Sequence, residues 1–264
     1  MTDEFTLEWA ALSDVGRKRA NNEDAVRVEP EYRLAVLADG MGGYNAGEVA
    51  SRMTVANVGD ALIGWVQDAA ARLADPRGAP FTVAAALQAL QACADEANRA
   101  IFDDANAQPE HAGMGTTLVA ALVYQGQLLI GHVGDSRAYR WRGGALAQLT
   151  RDHSVLQAQV DVGLLTPEQA AAAWRYRGLL TRGLGVEDTV LLDTQAEPLQ
   201  PGDICLLCSD GLTDMVSDAE IAAVLGSGLP LPSMAQVLIA QANTAGGRDN
   251  ITVALLRAGS KEAS

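Results

Sequence analysis

Cysteine, histidine and basic residues are scarce in this chain, and each shortage removes a class of chemistry. Three cysteines and three histidines occur in 264 residues. Three thiols cannot all pair with one another. Cys205 and Cys208 fall in "DICLLCS", an apolar run of strand character, where residues three apart point to opposite faces and cannot share an ion. A zinc knuckle also lacks its second Cys/His pair, so the cysteines read as core residues. Lys and Arg number 19 against 33 Asp and Glu, for a formal net charge of -14. That balance argues against nucleic-acid binding by counterion release and against docking on an anionic membrane. No run reaches the ~18 apolar residues of a membrane span, and "MTDEFTLEWAAL" lacks the basic flank and apolar stretch of a signal peptide. A cytoplasmic location is the expectation. Repeats, low-complexity tracts and linkers are lacking as well, and a single domain over residues 1–264 is expected.

What is present is ample apolar material, 48% of residues, in two distinct rhythms. Strand-like runs occur at 33–38, 117–124, 127–133, 137–142, 145–149, 189–194, 203–209 and 251–257. Two-residue turns at Gln125-Gly126 and Gly143-Gly144 predict hairpins, hence largely antiparallel sheets. Val83, Leu87, Leu90, Ala94, Ala97 and Ile101 form one apolar stripe of a long helix over about 82–106, and a second is predicted over about 46–73. Capping boxes mark two more helix starts, at Thr166 with Gln169 and at Ser217 with Glu220. Strands and paired helices mix without a strict strand-helix-strand alternation, which predicts an α+β layered architecture.

An acid stands at the end of several strand-like runs. Asp39 follows "RLAVLA", Asp135 follows "QLLIGHVG", Asp210 follows "ICLLCS", and Asp249 stands just before "NITVALL". If the strand ends converge, these carboxylates repel one another unless a cation sits between them. Oxygen donors alone are on offer, because His111, His132 and His153 read as scattered and unpaired, so the expected ion is Mg²⁺ or Mn²⁺. Glycines beside the acids (Gly40, Gly42, Gly43, Gly211, Gly246 and Gly247) let the backbone turn sharply, and the Gly40 carbonyl is itself a candidate ligand.

The motifs "RKRANNED", "DGMGG", "GTT", "VGDSRAYR", "LTRDHS", "LTRGLG", "LLCSDGLTDMV" and "GGRDNITV" occur in an order that resembles the metal-dependent type 2C serine/threonine protein phosphatases, in the compact form of the bacterial branch. The likeness spans residues 13 to 254. It implies a four-layer α/β/β/α sandwich, two mainly antiparallel sheets flanked by helices. It implies two Mn²⁺ or Mg²⁺ ions per site: Asp39 bridging both, the Gly40 carbonyl on the second, Asp210 and Asp249 completing the first. Glu23 or Asp24 would hold the second metal partly through water. Asp135 resembles the acid that binds a third, weaker metal together with Asp210. Arg19 falls where the family keeps its phosphate-gripping arginine, whose planar fork lysine cannot copy.

The implied reaction is hydrolysis of phosphoserine and phosphothreonine by direct attack of a metal-bridging water or hydroxide. One acid or base supplies only ~10²–10⁴ of the up to ~10²¹-fold acceleration that phosphate monoesters require, so metals must carry the chemistry. A cysteine nucleophile fails on position, since Cys93 lies in a helix stripe and the other two in a strand. Met41 stands where some members place a histidine, leaving the general acid unassigned, with a metal-bound water as the first choice. Residues 153–178 resemble the variable flap beside the site, where substrate selection is expected. In it Trp174 and Tyr176 read as packed against the domain rather than on substrate, and His153 as a hydrogen-bonded structural residue. The implied partners are phosphoprotein substrates and an opposing serine/threonine kinase, with the chain a monomer. Two readings compete: a catalytically dead phosphoprotein-binding scaffold, which should have lost a ligand, and a two-metal nuclease, which should carry a basic stripe.

Overall fold

The computed structural model describes residues 5–43, 46–75, 78–173, 176 and 178–260. Among the described residues, eleven strands are assembled in two sheets. The first has the order β1 (Phe5–Asp14), β11 (Ile251–Ser260), β10 (Ile204–Cys208), β7 (Arg137–Arg142), β8 (Ala145–Gln148). The second runs β2 (Asp24–Glu29), β3 (Leu34–Met41), β5 (Leu118–Tyr124), β6 (Gln127–Val133), β9 (Asp193–Pro198), with the short β4 (Gly115–Thr116) beside β3. All these pairings are antiparallel. Both predicted hairpins form: Tyr124 pairs Gln127 across a turn with positive φ at Gln125 and Gly126, and Arg142 pairs Ala145 across Gly143-Gly144.

The period of two sorts each strand between two interiors. On β3, Leu34 and Val36 face the long helices α1 (Ala46–Ala74) and α2 (Val83–Ala107), while Ala35 and Leu37 face the other sheet. On β10, Cys208 lies with Ile204 and Leu206 against α6 (Asp218–Leu225) and α7 (Leu231–Thr244), whereas Cys205 and Leu207 lie between the sheets. The two cysteines thus occupy opposite faces, as their spacing requires. Three apolar layers result, stacking as helices, sheet, sheet, helices: the expected α/β/β/α sandwich. Fully burying each Leu, Ile or Val in them stabilises by about 1.5–3 kcal/mol.

Six strands and α-helices went unpredicted, the short β4, α3 (Val155–Asp161) and α5 (Asp210–Thr213) along with β1, β2 and α7, and one strand was displaced. β1 carries period-two apolar residues, Phe5, Leu7 and Trp9, packed against the layer between the sheets. β2 is a half-buried edge strand. α7 has buried residues at Leu231, Met234, Ala235, Leu238, Ile239 and Ala242, which is plain helical spacing. The apolar run at 189–192 is not a strand. Instead α2 holds it through one side chain: Gln91 donates to the Val190 carbonyl at 3.2 Å and accepts from Leu192 N–H at 3.0 Å. Ladder pairing with β6 begins only at Asp193, in the more polar "DTQAEP".

Helices α3 (Val155–Asp161) and α4 (Pro167–Ala172) form the segment expected as a flap. Its stems are closed by an antiparallel bridge between Ser154 and Leu180. Thr166 and Gln169 make the predicted capping box on α4, as do Ser217 and Glu220 on α6. Trp174 lies outside the described residues. Tyr176 is exposed, contrary to the expectation that it packs inward.

Candidate active site

The end of β3 is where the sandwich opens. β2 and β3 pair so that Asp24 stands directly opposite Asp39, which leaves their Cβ atoms about 5 Å apart. Asp39 is fixed through its own peptide: its N–H donates to Thr117 Oγ1 at 3.0 Å, and its carbonyl accepts from Thr116 Oγ1 at 2.8 Å and Thr117 N–H at 2.9 Å. Thr117 Oγ1 meets Ser136 Oγ at 2.7 Å, tying the Asp39 strand to the turn that carries Asp135. The threonines of "GTT" and the serine of "GDSR" are thus positioning groups for two acids.

Beyond Asp39 the backbone of Gly40 passes against the first turn of α1. A Cβ on Gly40 would lie 2.0 Å from the Gly47 carbonyl oxygen and 2.7 Å from that of Glu23, so no side chain fits there. Gly211 is equally constrained, a Cβ lying 1.9 Å from the Asn250 carbonyl oxygen, which brings the Asp210 and Asp249 segments together.

These constraints converge on a cleft of about 250 Å³. Asp39, Asp135, Asp210 and Asp249 line it, joined by Gly40, Glu23 and, at the rim, Arg19. Within "NNED" the two acids part company. Glu23 faces the cleft, while Asp24 is buried behind it with Oδ2 accepting from Ser209 Oγ at 2.7 Å and Oδ1 lacking any hydrogen-bond partner. A larger cavity of about 450 Å³ adjoins under the flap and shares Asp135 and Asp210.

Crowded carboxylates in a poorly solvated cleft hold protons tightly. Burial pushes Asp39 well above the usual carboxylate range, and the charges of Asp24, Asp210, Asp135 and Asp249 push it further. Asp210 is likewise raised well above it, by burial and then by Asp135, Asp214 and Asp249. Burial takes Asp24 up to about 6, although the hydroxyls of Thr252 and Ser209 beside it favour its charged form. Asp135 rises to about 7, by burial and then the charge of Asp152. Such a set holds several negative charges only when something positive joins it. The orphaned Oδ1 of Asp24 and the all-oxygen donors fit a hard divalent cation.

Arg19 sits at the rim with Nη2 donating to Asp249 Oδ2 at 2.7 Å. Its loop is held by a residue that sequence reasoning missed, Asn250. Asn250 Oδ1 accepts from Glu23 N–H at 2.8 Å, and Nδ2 donates to the carbonyls of Val15 at 3.0 Å and Asn21 at 2.9 Å. The one available signal was a buried-type amide directly after a candidate acid.

The histidines correct a second expectation. His132 and His153 are not scattered: their rings stack with centroids 4.7 Å apart, and with Asp193 they form a cluster whose ligand atoms lie within 4.8 Å of one another. The hydrogen bonds argue against a cation there. His153 Nδ1 accepts from Gly134 N–H at 3.1 Å, so its proton is on Nε2, which faces Asp193 Oδ2 at 3.1 Å. Arg182 pairs with the same carboxylate at 2.9 Å. The ring is therefore a strut under the Gly134-Asp135 turn, in keeping with the structural role expected of His153.

Comparison with known proteins gives matches over most of the chain. The family model described as Protein phosphatase 2C matches residues 16–253. The chain is 40% identical over 247 residues to the serine/threonine phosphatase stp of Listeria innocua, covering 92% of this chain and 93% of that one. Among solved structures it is similar to the Mycobacterium tuberculosis serine/threonine phosphatase PstP/Ppp, with a TM-score of 0.82 and 39% identity over 95% of this chain and 98% of that chain. A structure of the PstP catalytic domain in complex with two manganese ions superposes with a TM-score of 0.79 at 38% identity, covering 97% and 99% of the two chains. Matches of this length and identity make the chain a member of the protein phosphatase 2C family, in its bacterial branch.

Proposed function

We propose that this chain is a metal-dependent protein phosphatase that hydrolyses phosphoserine and phosphothreonine in proteins, acting as a single domain in the cytoplasm, as a monomer, opposite a serine/threonine kinase. The observation that carries the reading is the gathering of Asp39, Asp135, Asp210 and Asp249 on one cleft, with the proton affinities of Asp39, Asp135 and Asp210 raised and Asp24 Oδ1 unsatisfied behind them. The phosphatase activity for which the relatives are named, and the manganese pair of the PstP complex, point the same way. Among the described residues, no helix is long and apolar enough to cross a membrane.

Each residue then has a task. Asp39 would serve two ions, with Asp210 and Asp249 completing the ligands of the first and the Gly40 carbonyl those of the second. Glu23, on the cleft face, would hold that second ion, with Asp24 supporting from behind, and Asp135 and Asp210 would offer a third position. Mn²⁺ or Mg²⁺ held there would activate water at neutral pH and neutralise charge on the phosphoryl group. Arg19 exchanges Asp249 for two phosphate oxygens, orienting phosphorus toward the acids. Met41 has no proton to give, so the leaving alkoxide draws its proton from water.

Release of inorganic phosphate from a phosphothreonine peptide, with Mn²⁺ and with EDTA, tests this directly. Hydrolysis with Mn²⁺ that EDTA abolishes is the expected result, and turnover that survives chelation would overturn the assignment.

A further inference from the structure

Beside the cleft lies an apolar cavity of about 400 Å³ to which the catalytic reading gives no role. Its walls are Met41, Leu179, Leu180, Val186, Val190 and Leu191. Leu179, Val186 and Leu191 are 49%, 56% and 67% exposed, so three large apolar side chains from one stretch of chain converge on one concavity and are left wet. Single exposed hydrophobics are ordinary; a shared hollow of them next to a reaction cleft marks a binding surface.

The cavity is continuous with the cleft. Met41 and Leu180, together with Gly178, line both. Met41 lies two residues beyond Asp39 on β3, and its Cε fills a slot between two glycines: a Cβ would lie 2.9 Å from it on Gly115 and 2.8 Å on Gly183. The thioether is thus the floor common to both hollows.

The cavity is also preformed. Although residues 183–192 have no regular structure, two amide side chains of α2 pin them. Asn98 donates to the Glu187 carbonyl at 3.0 Å and accepts from Gly185 N–H at 2.7 Å, and Gln91 brackets Val190 and Leu192. Of the two charged residues on its lining, Arg182 is already engaged by Asp193 and by the Leu191 carbonyl, and Glu187 adds a carboxylate that disfavours an acidic occupant. The walls therefore favour an uncharged apolar occupant, and little ordering is needed to receive one.

We propose that this cavity is a specificity pocket for the substrate polypeptide, receiving an apolar side chain within a few residues of the phosphoserine or phosphothreonine. The inference rests on the phosphatase reading and adds to it a sequence preference. An extended peptide advances about 3.3–3.6 Å per residue, so a chain with its phosphate in the cleft carries neighbouring side chains across Met41 into the hollow.

The test uses phosphothreonine peptides that are polar throughout except for one Leu, stepped from three residues before to three after the phosphoresidue. Free O-phosphothreonine, with no neighbours, is the control substrate, and all assays contain Mn²⁺. Wild-type protein is expected to favour one Leu position by about tenfold or more in kcat/KM. Leu191→Asp and Val186→Asp, both on exposed sites outside the cleft, are expected to erase that preference and leave O-phosphothreonine hydrolysis unchanged. A flat profile in the wild type would overturn the pocket, as would a preference that both variants retain, or an equal loss on the free amino acid. Failure of wild-type protein to hydrolyse any of these substrates would instead sink the phosphatase reading itself, and the pocket with it.

Discussion

Replacing Asp39 by Asn is predicted to stabilise the metal-free protein while destroying its turnover. Asp39 is surrounded by Asp24, Asp210, Asp135 and Asp249, and burial raises its proton affinity before those charges add to it. Asp24, its direct cross-strand partner, alone repels it by about 3 kcal/mol at a separation of roughly 5 Å and an effective dielectric constant near 20. Proton uptake by the cluster relieves part of this, so the net gain from the neutral amide in EDTA at pH 7.5 is set at about 2 kcal/mol, or a Tm rise of roughly 4–8 °C. With Mn²⁺ the order should invert. Wild-type protein gains about 2.7 kcal/mol at an ion concentration a hundred times Kd, and the variant, short of its bridging carboxylate, gains much less. Phosphate release should fall by roughly 10²–10³ or more. Thermal melts of both proteins with EDTA and with Mn²⁺, alongside turnover, decide the matter. An Asp39 that merely stabilised the fold would give a less stable variant in both conditions; that result, or near-normal turnover, would refute the reasoning.

The same electrostatics sets a pH dependence. Asp24 at about 6 and Asp135 at about 7 both lie above the ordinary 3.8, so the folded state binds their protons more tightly than the unfolded chain. Their contribution is complete below about pH 4 and is lost as pH rises through about 6–7, so urea melts in EDTA should show stability falling by a few kcal/mol between about pH 4 and 8; a rise over that range would contradict the shifts. Arg19→Ala should raise KM for phosphopeptide far more than it lowers kcat, and Arg19→Lys should not restore it, because a lysine cannot present the fork; an unchanged KM would remove Arg19 from phosphate binding. Asn250→Ala leaves Glu23 N–H and the carbonyls of Val15 and Asn21 without their partner, which should cost about 2–4 kcal/mol in chemical denaturation; a loss under about 0.5 kcal/mol would show that the loop is held elsewhere.

Much of the sandwich was legible because period-two runs and two hairpin turns fix antiparallel strands locally, and because caps at Thr166 and Ser217 announce helices. The acids were legible for a related reason: a carboxylate after a buried strand has one address, the sheet edge. β1 was missed although Phe5, Leu7 and Trp9 alternate, because Thr6 and Glu8 between them keep the stretch from reading as an apolar run. The run at 189–192 misled in the other direction. Apolar β-branched character cannot distinguish a ladder from a loop tethered by Gln91, a residue a hundred positions away. The His132 and His153 stack was invisible for the same reason, since the rings meet only once the β6 end and the segment after β8 are folded together. Asn250 and Ser209 act by completing hydrogen bonds of distant backbone and acid, and such partners have no local signature.

Crystals soaked in Mn²⁺ and measured at the manganese absorption edge locate the ions without reference to activity. Anomalous peaks are predicted in the cleft, in contact with carboxylate oxygens of Asp39, Asp210 and Asp249. Peaks confined to the His132, His153 and Asp193 cluster, or a cleft that takes up no manganese, would contradict the claim that these strand-end acids are a metal centre.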